Sequence, residues 1–446
     1  MKIKFCGGVG MVTGSNHFLE TKNQKILIDC GLFQGRGSDE LNRQDFPYQA
    51  QEIDAVLVTH AHLDHVGRLP LLVKEGFSGK IYTTKPTRDL AKLILSDCEE
   101  IYTYHTPEGK DPLYNKEDVK KTMSLFEPIK YGKKNKHGDI EFCFRDAGHV
   151  LGSAFIEVWA EGKKIVFSGD LGNSPTPLLK DLEVVEEADY VLVESTYGDR
   201  VHEDKIVRKN VLEDTIEETI ARGGVMLIPS FALERTQELI YELNELAENH
   251  RIPPVPVFID SPLAIELTKV YQRHLEYFDK EASELIASGD DLFKFPGLKM
   301  TSTVEDSKKI NHVKSPKIII AGSGMSTGGR ILFHEKMYLD DPKNTFLIIC
   351  YQVKGTLGRK IFEKQKNINI FGQDVSIRAQ VKAIGGYSAH ADQEALFNWI
   401  HPMRSSLQKV FVVHGEEEPA QALAQKIKDH LGISTQVPSL NQEVEL

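Results

Sequence analysis

Val56-Leu-Val-Thr59 runs directly into His60-Ala-His62-Leu-Asp64-His65, and the reading of the chain turns on this stretch. The apolar run reads as a buried strand. The hexapeptide after it sets three imidazoles and a carboxylate at the strand's C-terminal end, where α/β sheets build their sites. In extended backbone residues i, i+2 and i+4 share a face, so His60, His62 and Asp64 are expected to point to one side. His65 is expected to enter a helix over Val66–Glu75 beside them. Imidazole and carboxylate suit zinc, and these donors exceed what one tetrahedral ion takes from one segment, which calls for two metals. The chain has 16 His in 446 residues. Chance produces this pattern in about one such chain per thousand.

Working outward, other strand-like runs end on further donors. Asp29 ends Lys25-Ile-Leu-Ile28, Asp170 ends Ile165-Val-Phe-Ser-Gly169, Glu194 ends Tyr190-Val-Leu-Val193 and His414 ends Val410-Phe-Val-Val413. His149 lies in Asp146-Ala-Gly-His-Val-Leu-Gly-Ser153. Alone, each reads as readily as a turn or cap residue. Together they supply the donors that two metals need. Further buried runs lie at Val225–Pro229, Lys317–Ala321 and Phe346–Ile349, with helical patterns at Leu90–Ile101, Val207–Ile220, Leu233–His250 and Glu418–Leu431, the last stopped by Gly432. Strands and helices in alternation define an α/β protein. The charged stretch Gly198–Asp204 and the turn at Gly385-Gly386 are candidate boundaries, which would make the middle segment an insertion.

A length of 446 residues suggests two or three domains. Hydrophobic residues at 41% and charged residues at 27% exclude a disordered, collagen-like or small disulfide-stapled chain. The apolar runs are too short to cross a bilayer, and Met1–Cys6 reads as a first strand rather than a leader, so a cytoplasmic protein is expected. A net charge of −11 argues against general nucleic-acid coating but allows a nuclease with positive charge confined to one cleft or supplied by metal. The five cysteines never form a Cys-x-x-Cys pair and read as buried thiols, not zinc ligands.

The order Asp29, His60-x-His62-x-Asp64-His65, His149, Asp170 resembles the four consecutive motifs of the metallo-β-lactamase superfamily. The continuation is similar to its β-CASP branch of nucleases, through Glu194 in Glu194-Ser-Thr-Tyr-Gly198, His390 in Gly386-Tyr-Ser-Ala-His-Ala-Asp392 and His414 in Val413-His-Gly415. Pro229–Glu238, Asp260-Ser-Pro-Leu-Ala264 and Gly322–Arg330 resemble the branch's inserted domain. The likeness is greater to the mRNA 3′-end processing endonuclease group than to ribonuclease J, since no long extension follows Leu446. The resemblance implies a four-layer αβ/βα domain over 1–199 and 386–446, an inserted α/β β-CASP domain over 200–385, and an active site in the cleft where they meet.

It also implies a mechanism. One zinc would be held by His60, His62 and His149, the other by Asp64, His65 and His414, with Asp170 bridging. A hydroxide activated by both metals would attack phosphorus in line, leaving 5′-phosphate and 3′-hydroxyl ends. Asp29 would orient a ligand or the hydroxide, and His390, supported by Glu194, would be the general acid. Gly322-Ser-Gly-Met-Ser-Thr-Gly-Gly-Arg330 joins a buried strand to a helix, and its amides with Ser323, Ser326, Thr327 and Arg330 could hold phosphate. A tight strand–helix turn explains it equally, and it is not a Walker A loop. Ser230, Arg235 and Ser388 are similar candidates for the nucleic-acid backbone. RNA is the expected partner, with no membrane and no nucleotide cofactor, and a homodimer is left open.

Three other readings compete. A DNA nuclease of the same branch is disfavoured by His414, which DNA-acting relatives tend to lack. A thioester, lactone or lactam hydrolase leaves the insertion and the His390 and His414 motifs unexplained. A scaffold with a decayed site would have lost ligands, and all are present.

Overall fold

The computed structural model describes residues 1–35, 37–105, 111–202 and 205–446. Glu203 and Asp204, at the end of the charged boundary stretch, lie outside them. The chain divides into two units, Met1–Val201 with Ala389–Leu446, and His202–Ser388.

The first unit holds two seven-stranded sheets. One runs in the order Glu443–Glu445, Lys2–Phe5, His17–Glu20, Lys25–Ile28, Ala55–Leu57, Lys80–Thr84, Phe126–Ile129. Its pairing is antiparallel as far as Lys25–Ile28 and parallel beyond. The other runs Ser434–Gln436, Lys409–Val412, Tyr190–Val193, Lys163–Phe167, Ala154–Ala160, Ile140–Asp146, Asn135–His137. It is parallel as far as Lys163–Phe167 and antiparallel after.

Strand side chains alternate faces, and both faces of the second sheet are apolar. Leu192 and Phe411 turn inward onto Phe5, Leu19, Leu57 and Ile156, which fill the space between the sheets. Val191, Val193, Val410 and Val412 turn outward onto Leu396 and Trp399 of the helix Gln393–Ile400 and onto Leu423 and Ile427 of the helix Glu417–Leu431. On the far side, the helix Lys85–His105 packs on Lys80–Thr84 and Phe126–Ile129. The result is the four-layer αβ/βα arrangement.

The second unit is built on six parallel strands in the order Leu298–Met300, Val257–Asp260, Lys317–Ala321, Val225–Pro229, Thr345–Ile348, Gln380–Ala383. Leu227, Phe258, Ile319 and Phe346 are buried within it, as continuous apolar runs require when both faces are covered. Expected helices and strands lie within a few residues of their read bounds, and Gly432 caps Glu417–Leu431 at φ 70°. The single helix expected over Val66–Glu75 is instead two, Leu63–Val66 and Leu69–Lys74. Pro70 has no N–H to donate to the preceding turn, so the helix restarts there. Among the described residues no helix is long and apolar enough to cross a membrane.

Candidate metal centre

The donors gather at the C-terminal ends of strands from both sheets of the first unit. The chain leaves Ala55–Leu57, stays extended to His62, then begins the helix Leu63–Val66. This corrects the expectation of one shared extended face. Asp64 is helical and is carried with His65 to a different cluster from His60 and His62. The short helix is fixed by main-chain bonds rather than by a side-chain cap: Ser15 N–H donates to Asp64 O at 2.8 Å, Cys30 N–H to His65 O at 2.8 Å and Leu32 N–H to Leu63 O at 3.0 Å. Gly31 makes this approach possible, since a Cβ there would lie 1.5 Å from the Asp64 carbonyl oxygen.

In the first cluster His60 Nε2 and His149 Nε2 lie 3.0 and 3.2 Å from His62 Nδ1, and 3.4 and 3.5 Å from Asp170 Oδ2. In the second, His65 Nε2 and His414 Nε2 lie 3.4 and 3.5 Å from the other oxygen, Asp170 Oδ1, and 3.8 and 3.7 Å from Asp64 Oδ2. Asp170 thus offers one oxygen to each cluster. Donors about 2.0–2.1 Å from a tetrahedral zinc stand roughly 3.3 Å apart, close to the spacing here except for the longer distances to Asp64. His65 Nε2 and Asp170 Oδ1 are buried with no hydrogen-bond partner among the described residues, although both point into the cluster. The residues fit two divalent ions.

The protonation of the first cluster agrees, while in the second burial of His65 is outweighed by the carboxylates of Asp170, Asp29 and Asp64, which hold its ring well above the usual imidazole range. Burial holds His62 and His149 well below the usual imidazole range, which keeps them in the neutral, ligating form. Burial opposes charge on Asp170 too, but the surrounding imidazoles outweigh it and keep the carboxylate well below its usual range.

Asp29 is not among the convergent donors. It sits at φ 59°, accepts Thr59 N–H and Thr59 Oγ–H, each at 2.8 Å, and meets His65 Nδ1 at 2.7 Å. A carboxylate there fixes the ring so that Nε2 faces the metal side. His149 Nδ1 is held in the same way by Ala389 O at 3.2 Å, and His60 Nδ1 by Thr59 Oγ1 at 3.0 Å.

His390 stands at the rim, with Nδ1 2.9 Å from Glu194 Oε2 and 3.2 Å from Oε1. Burial alone would lower this imidazole. The carboxylates of Glu194 and Asp170 outweigh it and push the ring up to about 9. Glu194 is itself anchored, accepting Leu171 N–H at 2.7 Å.

The remaining candidates are not part of this cluster. Arg330 donates to Asp260 Oδ1 at 2.7 Å and to the carbonyls of Thr301 and Ser302, so its guanidinium is committed inside the second unit. Ser326 donates to Glu335, and Arg235 is buried against Glu238. Ser230 accepts from Thr236 at 3.0 Å and is buried, as is Ser388. Ser323 and Thr327 lie on the outer side of the Gly-rich loop, their hydroxyls 3.1 Å apart. Two residues of the centre carried no signal in the sequence. Thr59, which ties Asp29 to His60, reads as the last residue of a strand, and His17, buried behind the second cluster, reads as a lone histidine in an alternating strand.

This fold and this paired cluster define a metallo-β-lactamase-type metal site, and the chain belongs to the β-CASP branch of that superfamily. The family descriptions that match are "Metallo-beta-lactamase superfamily domain" over residues 18–195, "Beta-Casp domain" over 236–361 and "Zn-dependent metallo-hydrolase RNA specificity domain" over 374–438. The chain is 40% identical over 425 residues to a ribonuclease of Thermus thermophilus, an alignment covering 95% of each. It is 34% identical to an RNase J-like protein of Methanocaldococcus jannaschii, covering 98% of this chain and 97% of that one. It is 33% identical to the transcription termination factor FttA of Methanosarcina mazei, covering 100% of this chain and 72% of that one. A crystal structure of a protein of unknown function from Enterococcus faecalis shares the fold at TM-score 0.54 and 11% identity, covering 100% and 99% of the two chains.

Proposed function

We propose that this chain is a zinc-dependent ribonuclease, cytoplasmic, that hydrolyses RNA phosphodiester bonds to leave 5′-phosphate and 3′-hydroxyl ends. The observation that carries the reading is Asp170, whose two oxygens each face a separate group of donors at ligand spacing. The ribonuclease and RNase J-like relatives, and the match to an RNA specificity domain, support RNA as substrate.

His60, His62 and His149 would hold one zinc, Asp64, His65 and His414 the other, and Asp170 would be shared. Bound there, the two cations supply a water of lowered pKa and neutralise charge growing on the phosphate. Asp29 orients the His65 ring. His390 carries the proton for the leaving 3′-oxygen. Its Nδ1 is committed to Glu194, so Nε2 is the nitrogen that delivers it. Residues 1–199 and 386–446 form the hydrolase domain in this reading, and 200–385 the inserted β-CASP domain. Ser323 and Thr327 would be the loop hydroxyls that meet backbone phosphate. Arg330 and Ser326 serve them by holding the loop, through Asp260 and Glu335.

The test is incubation of purified protein with end-labelled and internally labelled RNA, with and without a chelator, alongside metal analysis. The expected result is two zinc equivalents per chain and chelator-sensitive cleavage. Asp170→Ala should lose activity and occupancy at both sites. No transition metal in protein purified without chelators, or cleavage indifferent to chelation, would sink the proposal.

A further inference from the structure

Behind the second cluster lies a cavity of about 10 Å³, lined by Ser15, His17, Asp29, His65, Ser168 and His414 among apolar side chains. That is close to the space one water molecule takes. Three nitrogens of the lining residues, His17 Nδ1, His65 Nε2 and His414 Nδ1, are buried without a hydrogen-bond partner among the described residues, and of these His65 Nε2 points into the metal cluster. Asp29 and Ser168 are engaged. Asp29 is used by Thr59 and His65, and Ser168 Oγ accepts Glu194 N–H and donates to Gly169 O.

His414 differs from three of the other ligand rings. His60, His65 and His149 each have their second nitrogen within hydrogen-bond distance of an oxygen, which sets the tautomer and aims the ligating nitrogen. His414 directs Nε2 at Asp170 and Asp64, so Nδ1 faces away from them, and nothing among the described residues meets it. Gly8, at φ 61°, lies beside Nδ1. A Cβ on Gly8 would lie 3.7 Å from His414 Nδ1 and 3.3 Å from Ser15 Cα, in the neighbourhood of the cavity wall.

We infer that one ordered water occupies this cavity and bridges His17 Nδ1 to His414 Nδ1, making His17 a positioning residue for the His414 ligand. Water both donates and accepts, so it satisfies the pair whichever tautomer each ring adopts. The inference rests on reading His414 as a zinc ligand.

Two measurements test it. A crystal structure of the zinc-loaded protein, at a resolution that shows waters, should hold a single peak about 3 Å from both nitrogens. A dry cavity overturns the inference. Zinc affinity by chelator competition should fall about 10–100-fold at one of the two sites in His17→Leu, the usual worth of such an outer partner, and stay unchanged at the other. His17→Gln, which can still bind the water, should recover most of the loss. Equal loss at both sites, or none in a folded His17→Leu, refutes the positioning role. If His17→Leu does not fold, the water peak and His17→Gln decide. Wild-type protein that takes up no zinc would instead defeat the metal-site reading itself, and the two failures are therefore distinct.

Discussion

Replacing Glu194 by Gln should move the pH dependence of cleavage, by an amount the structure sets. The His390 ring is held at about 9 against an ordinary 6.5. That difference is worth roughly 3 kcal/mol at 1.36 kcal/mol per pKa unit. Coulomb attraction between charges about 4 Å apart at an effective dielectric of 20 gives about 4 kcal/mol, so the nearby carboxylate accounts for most of it. The amide of Glu194→Gln would keep the shape and lose the charge. Its NH2 would also face either Leu171 N–H or His390 Nδ1, both of which now donate to the carboxylate. Only the imidazole can give up its proton to relieve that conflict, which lowers its pKa further. An acid works while protonated, so activity should persist below the ring's pKa and fall above it. The alkaline limb of kcat/KM should therefore move down by about two units, costing about tenfold at pH 8 and little at pH 6. Metal content should stay at the wild-type value. An unchanged limb, or a loss equal at both pH values, would refute the proton-donor role.

His390→Ala should retain both metals and RNA binding while losing about 10²–10⁴ in rate, and the loss should shrink on a nitrophenyl phosphodiester whose leaving group needs no proton. His414→Ala should instead lose one metal together with activity, which metal analysis of the two variants separates. RNA affinity of an inactive Asp170→Ala protein should fall as salt rises despite the net charge of −11, and a flat response from low to moderate salt would exclude phosphate contacts as the main source of binding. Burial pushes the Glu335 carboxyl up to about 8, the Ser326 hydroxyl offsetting part of this. The folded state therefore keeps a proton that the unfolded chain releases near 4.5, and stability should decline from pH 4.5 toward 8, by as much as about 5 kcal/mol. Denaturant titration of Glu335→Gln should show that decline removed.

Much of this was legible because both sheets of the first unit are covered. Strands such as Tyr190–Val193 then read as unbroken apolar runs, as Val225–Pro229 does in the second unit, and the donors stand at the ends of those in the first. The family motifs located Asp170 and His414 by the same logic. What escaped depends on partners far away in sequence or on backbone that has no local signature. The helix Leu63–Val66 has no side-chain cap to announce it, so strand periodicity put His62 and Asp64 on one face, and only the family resemblance assigned them to different metals. Arg330 reads as a phosphate contact in a Gly-rich loop, yet Asp260, 70 residues earlier, takes its guanidinium. Asp260 is fully buried and also accepts from Thr301 and Ser307, a convergence that only the parallel sheet brings about. His17 is one imidazole in an alternating strand, and the small cavity it lines with His414 is formed by packing between distant parts of the chain.

The strand Lys409–Val412 lies beside Tyr190–Val193, register Val410 to Val191, and leads into His414. A ribosome that has finished the first strands of this sheet must still make all of 202–388 before the missing neighbour emerges. At ordinary synthesis rates that interval is on the order of 10–40 s. Throughout it the nascent chain exposes one edge of Tyr190–Val193 to any other strand and holds only two of the three donors Asp64, His65 and His414 of the second cluster. The order of translation thus withholds the finished catalyst until the polypeptide has passed residue 414, and it makes that waiting edge the point most in need of protection during synthesis.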